Sequence, residues 1–214
     1  MGLTISVVPH PLLDLGVFVT HFAQSLGELA PFDTGVAAPM CSTDAVRTEI
    51  RNLLRHGGFK PAGRSKPASE YLVTAHNELR FPTINAAVDA CNVASLWSGL
   101  PISLVDLDRV VGDLSVNICP AGTTYVFNPS GQVIDASGLV AVFDAEGPTG
   151  TPVKDAQRTK THEGSRTTLS VVWGSKQLPG LTARATSWYR ELVATIAGAR
   201  LEDVTLTTAA APIT

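Results

Sequence analysis

The stretch from Phe81 to Asp113, FPTINAAVDACNVASLWSGLPISLVDLDRVVGD, sets polar side chains into an otherwise apolar helix and stops at Ser98-Gly99-Leu100-Pro101. Asn85, Asp89, Asn92, Ser95 and Ser98 recur at the spacing of a helix face, where a purely structural helix carries Leu or Val. Such a stripe either faces water or lines a site. The Ala, Val, Cys and Leu between its members argue that more than one face is buried, which favours the site.

C-terminal to this helix, Pro101 leads into an expected loop that carries Asp106, Asp108 and Arg109. From Gly112 the texture changes to short β-rich pieces at 114–119, 123–127, 132–134 and 139–143, separated by Gly, Pro, Asn and Ser turns. Residues 146–154, EGPTGTPVK, are too rich in Gly, Pro and Thr to predict regular structure. A strand follows at 167–173. Leu181, Ala185, Trp188, Leu192 and Ile196 then mark an apolar helical face running to about Ala199, and TTAAAPIT reads as a frayed tail.

On the N-terminal side, Pro67 opens a helix to about Leu79, and Ser42-Thr43-Asp44 cap another that carries Val46, Ile50, Leu53 and Leu54 on one face before Gly57-Gly58. Residues 4–8 form a β-branched strand, 12–29 a second strand and a short helix, and 31–39 a loop. The fold expected is α+β, with helices packed around a mostly antiparallel sheet, and residues 1–214 as a single domain.

With 44% hydrophobic residues in 214, the chain can bury a substantial core. No apolar run approaches the roughly 20 residues of a membrane span, and a signal-peptide pattern is lacking, so a cytoplasmic location without a membrane partner is expected. Cys41, Cys91 and Cys119 lack metal-ligand spacing and are expected to be reduced and buried. No metal, cofactor or DNA is implied. The net charge of −3 disfavours non-specific attraction to nucleic acid, but charge can be segregated. Arg47, Arg51 and Arg55 form a row on one helix, and Lys60, Arg64 and Lys66 follow it. This is a solvated helix face or a phosphate-binding one.

The sequence has no GxSxG elbow, P-loop, GxGxxG after a strand or HExxH, and its five histidines are scattered. Two polar clusters remain: the helix stripe with Ser103 and Asp106 beyond it, and Glu146-Gly147-Pro148-Thr149-Gly150 with Asp155, Arg158 and Thr159. A helix facing a glycine-rich turn with accessible N–H groups makes a wall for a small polar ligand. Each residue also has a structural role open to it. Asn85 serves as an N-cap, Asp89 complements the dipole, Asn92 and Ser95 bond to loop backbone, Asp106 and Asp108 anchor a turn, and Asp155 pairs with Arg158.

The order of KPASEYL at 66–72, INAAVDACNVASLWSGLPISLVDLDRVVGDL at 84–114 and DAQRTKTHEGSRTTLSVV at 155–172 resembles the B-three/B-four editing module of the phenylalanyl-tRNA synthetase β subunit, and more closely its free-standing relatives. The resemblance covers about residues 45–175, leaving an N-terminal β/α extension and a C-terminal helix outside it. It implies a detached, trans-acting deacylase that hydrolyses the ester of mischarged aminoacyl-tRNA, with tRNA and a small amino-acid moiety as partners. A non-catalytic tRNA- or amino-acid-binding module, or a hydrolase of another small ester or amide, are the alternatives.

Carried over residue by residue, Asp89-Ala-Cys91-Asn92 matches the segment beside the editing pocket, and Ser103 stands where the bacterial β subunit has a pocket histidine. Glu146 lies in the region of the acid that recognises the tyrosine hydroxyl. The resemblance thus implies Asn92, Ser103 and Asp155 as catalytic residues. Asn85, Asp89, Ser95, Glu146, Gly147, Thr149, Arg158 and Thr159 are implied around the substrate, and the basic residues from Arg47 to Lys66 on the tRNA.

Overall fold

The structure is a computed structural model and describes residues 2–209. Its strands and helices follow in the order β1 (Thr4–Val7), β2 (Leu13–Phe22), α1 (Asp44–Arg55), α2 (Ala68–Asn77), α3 (Ala86–Ser98), β3 (Ile102–Asp106), β4 (Leu114–Ile118) and β5 (Thr124–Val126). The chain continues through β6 (Val133–Asp135), β7 (Val140–Asp144), β8 (Gly147–Gly150), β9 (Thr167–Ser175), α4 (Leu181–Ala194), β10 (Ala199–Asp203) and β11 (Thr205–Thr208). The fold is α+β, as expected. One sheet has the order β10-β2-β9-β3 and is antiparallel throughout. A second has the order β11-β1-β4-β7-β8, in which β1 runs parallel to both its neighbours, and β5 and β6 form a hairpin apart.

Local chemistry sets the helix ends. Thr43 caps α1 by accepting from the Val46 N–H, and Val46, Ile50, Leu53 and Leu54 are its buried face. Asn85 caps α3 by accepting from the Val88 N–H, and Gly99, at φ 73°, ends it in the left-handed conformation that glycine adopts without strain. Helix α3 packs against α2, α4 and β3, which explains why nearly all of it is buried. Helix α4 lies on β2 and β9 at the positions of Gly16 and Gly174, where a Cβ would meet Thr186 Oγ1 at 1.8 Å and Thr182 Oγ1 at 1.9 Å. Those two glycines allow the close approach.

Five expectations need correction. Ile102–Asp106 is a strand rather than a loop, buried at every position because α3 covers it and β9 pairs with it. A strand buried on both faces shows no alternation, so its pattern was masked by the neighbouring Gly and Pro. Gly147–Gly150 is also a strand, paired with β7 through an irregular register. Helix α4 ends at Ala194, since Gly198 at φ 74° turns the chain into β10. Of the expected tail, Thr207 and Thr208 belong to β11, which pairs in parallel with β1, while residues 210–214 lie outside the described ones. Cys91 and Cys119 are buried, but Cys41 is exposed. Among the described residues, no helix is long and apolar enough to cross a membrane.

Candidate functional site

Strand β3 and the loop after β8 bring Ser103 and Asp155 together. The Asp155 carboxylate accepts from Leu104 N (3.1 Å) and Thr151 N (3.1 Å), so it ties the loop to the strand. Burial pushes its pKa up to about 6, opposed by the Ser103 side chain beside it, by hydrogen bonds from the two backbone amides and by nearby Lys160. Ser103 is fully buried. Its hydroxyl donates to the Thr151 carbonyl (3.0 Å) and accepts from Trp173 Nε1 (2.9 Å), which occupies it on both sides. Cys91 lies close by on α3, where burial, and secondarily the Asp155 charge, pushes its thiol up to about 12. It is therefore no nucleophile at neutral pH.

Asn92 is one residue from Cys91 but about 100° around the helix. It is half-buried and its amide makes no side-chain hydrogen bond among the described residues. Ser95 is fully buried and donates to the Leu100 carbonyl (2.7 Å), holding the helix end against the loop. Asn85 acts as the N-cap. The Asp89 carboxylate is buried, accepts from Ile84 N (2.8 Å) with one oxygen, and leaves the other without a partner. Asn85 and Asp89 line a cleft of about 370 Å³ with Thr83, Thr161, His162 and Glu163, away from Ser103. In that cleft His162 Nδ1 accepts from Gly164 N (3.0 Å) and Nε2 lies 3.4 Å from Asp106.

Arg158 does not pair with Asp155. It forms a two-pronged pair with the buried Asp144, at 2.8 and 2.5 Å, and donates to the Gly147 carbonyl at 2.9 Å. Glu146 is more distant, at 3.7 Å. Arg158, together with N–H donors from Val111 and Glu146, holds the Asp144 carboxylate below its usual range against the opposing effect of burial. Thr149 and Thr159 are buried, and the Thr159 hydroxyl donates to the Thr149 carbonyl (3.3 Å). Gly150 packs on Ser103, where a Cβ would come within 3.1 Å of its Cβ. The expected site is thus divided into a Ser103–Asp155 centre, a Glu146–Arg158 flank beside it and an Asn85–Asp89 cleft apart. Of five clefts of about 270 to 500 Å³, none is lined by Asn92, Ser103 or Asp155.

The basic row on α1 is largely engaged. Arg51 pairs with Glu70 at 2.6 Å through two nitrogens, Arg47 with Asp44 at 3.0 Å, and Arg55 bonds Asn52. Arg47 and Lys66 share a cleft of about 310 Å³ with Asp44 and Glu70. Lys60 and Arg64 are exposed.

Several residues that build the centre were not singled out from the sequence. Tyr125 is buried, its hydroxyl donates to the Lys154 carbonyl (2.5 Å), and it lies 3.0 Å from Thr151 Oγ1. Trp173 holds Ser103, and Asp144 holds Arg158. An aromatic or aspartate at a strand position reads as ordinary core or turn, and no spacing links residues 70 positions apart.

No family model and no curated protein matches the chain. Among solved structures, it is similar to an N-terminal fragment of the phenylalanyl-tRNA synthetase β-subunit from Pyrococcus horikoshii, with a TM-score of 0.54 and 8% sequence identity. The match covers 97% of this chain and 52% of that one, so the chain spans about half the length of that fragment. At that identity the likeness is one of fold.

Proposed function

We propose that this chain hydrolyses the ester bond of mischarged aminoacyl-tRNA. The observation that carries the proposal is the Asp155 carboxylate, anchored by two backbone amides and raised to about 6. Similarity in fold to the synthetase β-subunit fragment supports the substrate class. A carboxylate in this pKa range is ionised at neutral pH and basic enough to take a proton from water.

Asp155 orients a water and accepts its proton as the oxygen attacks the ester carbonyl carbon. The carbon–oxygen bond to the terminal ribose breaks, and the proton returns from Asp155 to the ribose oxygen. Free amino acid and uncharged tRNA result. An aminoacyl ester is already activated, so positioning and oxyanion donors suffice without an imidazole at Ser103.

The test is amino-acid release from a mixed pool of charged tRNAs. Turnover is expected, falling about 100-fold or more in Asp155→Asn, a typical loss for a general base. No release of any amino acid with the protein in excess over RNA would sink the proposal. The second reading, binding without hydrolysis, is favoured by one observation: the Ser103 hydroxyl is saturated and none of the five clefts opens on it. Retention of charged tRNA without product would select it.

A further inference from the structure

Three remote parts of the chain meet beside Asp155. Lys66 Nζ lies 4.7 Å from the centre of the Tyr71 ring, and Lys154 Nζ lies 5.6 Å from that ring and 4.2 Å from the Phe127 ring. Lys160 Nζ is 5.6 Å from the Phe127 ring and donates to the Phe127 carbonyl. Arg64 stands close enough to lower the pKa of Lys154, after the larger effect of burial. The Tyr71 hydroxyl donates to the Gly63 carbonyl (3.1 Å), and Ala68 N donates to the Pro152 carbonyl (2.9 Å). These bonds pin the segment carrying Arg64 and Lys66 to the loop carrying Lys154.

Among the described residues, none of these four cations is in an ion pair. That is unusual on a chain with 19 carboxylates and a net charge of −3. Lys160 has the Asp155 carboxylate near it, but the four like charges still repel one another, and the ring faces offset only part of that. Both rings are half-buried. Cations interleaved with aromatic faces are the physical signature of single-stranded nucleic-acid binding, in which phosphates meet the charges and bases stack on the rings.

We propose that Arg64, Lys66, Lys154 and Lys160, with Tyr71 and Phe127, bind the unpaired end of an RNA strand and deliver it to Asp155. The choice of an RNA end rests on the deacylase proposal. The surface lies at the loop that holds Asp155, since Lys154 precedes that residue and Lys160 bridges to Val105 on β3.

The experiment is fluorescence anisotropy with a labelled single-stranded RNA ending in CCA, a duplex RNA of equal length and a polyglutamate peptide. The expected result is preference for the single strand, with affinity falling as salt rises at a log–log slope of about −0.7 per phosphate engaged. Lys66→Ala with Lys154→Ala is expected to weaken binding at least tenfold and flatten that slope. Phe127→Leu, which leaves the charge unchanged, is expected to weaken it about tenfold through lost stacking. Circular dichroism and thermal melts verify that the variants are folded. Equal affinity for the duplex, tighter binding of polyglutamate, or unchanged binding in both variants would overturn the proposal. The RNA carries no aminoacyl ester, so its binding is read independently of turnover, and RNA binding together with no amino-acid release from charged tRNA sinks only the deacylase. Hydrolysis whose KM is untouched by these variants sinks only the surface.

Discussion

Two basic regions lie near one another on this molecule and differ in what surrounds their charges. On α1, Arg47 and Arg51 are matched by Asp44 and Glu70, and Arg55 is held by Asn52. In the other region Arg64, Lys66, Lys154 and Lys160 gather around two aromatic rings, and none of them is in an ion pair among the described residues, although Asp155 lies near Lys160. The first was visible as a row in the sequence because one helix displays it at regular spacing. The second is made by the fold. A regular run of arginines therefore says little about a polyanion until its counter-ions are known, whereas unpaired cations brought together at some energetic cost point to an absent partner.

The sharpest contrast comes from the most buried pair. Arg158→Ala leaves the buried Asp144 carboxylate without its cation, and a loss of about 3 kcal/mol is expected in urea unfolding. A loss below about 1 kcal/mol would show that Asp144 is satisfied by Val111 N and Glu146 N alone. Next, Arg51→Ala is expected to cost about 1 kcal/mol, because its pair with Glu70 is partly buried and two-pronged. Lys154→Ala should lie within about 0.5 kcal/mol of the parent and on the stabilising side, since it relieves repulsion. If it costs as much as Arg51→Ala, the distinction between the two regions fails.

The smallest effect is in pH dependence. General-base action needs the ionised form of Asp155, so deacylation is expected to rise with pH through about 6 and then level off. Lys160 favours that ionised form. Lys160→Met should therefore move the rise to higher pH, and a shift to lower pH would exclude the coupling.

Much of the fold was legible where a pattern is local. The Thr43 and Asn85 caps, the buried face of α1 and the short strands after Gly112 all follow from neighbours within a few residues. The strands at Ile102–Asp106 and Gly147–Gly150 were not legible. One is buried on both faces, and the other draws its regularity from β7 rather than from its own Gly, Pro and Thr. At the candidate site, the contact of Ser103 with the Asp155 loop is visible only in the fold, as are the Arg158–Asp144 pair and the Trp173 donor. Each joins residues from different strands or loops, and the number of such pairings far exceeds what spacing can restrict. The structural roles of Asn85, Ser95 and Asp106 were legible and are present, since Asp106 accepts from Asp108 N at 3.0 Å.

Strand β1 has its outer neighbour, β11, in a register that sets Thr4 beside Thr205 and Val7 beside Thr208. During synthesis, then, one edge of β1 stays open until some 200 residues later, although β4 covers the other edge after about 110. Closing so long a loop adds little entropy beyond a medium one, because the cost grows only with its logarithm. What it adds is time, at about 5–20 residues per second, during which the unpaired edge can recruit a foreign strand. Ser6 lies in this strand and Pro9 just beyond it, and β1 is four residues long, so the exposed template is short while it waits.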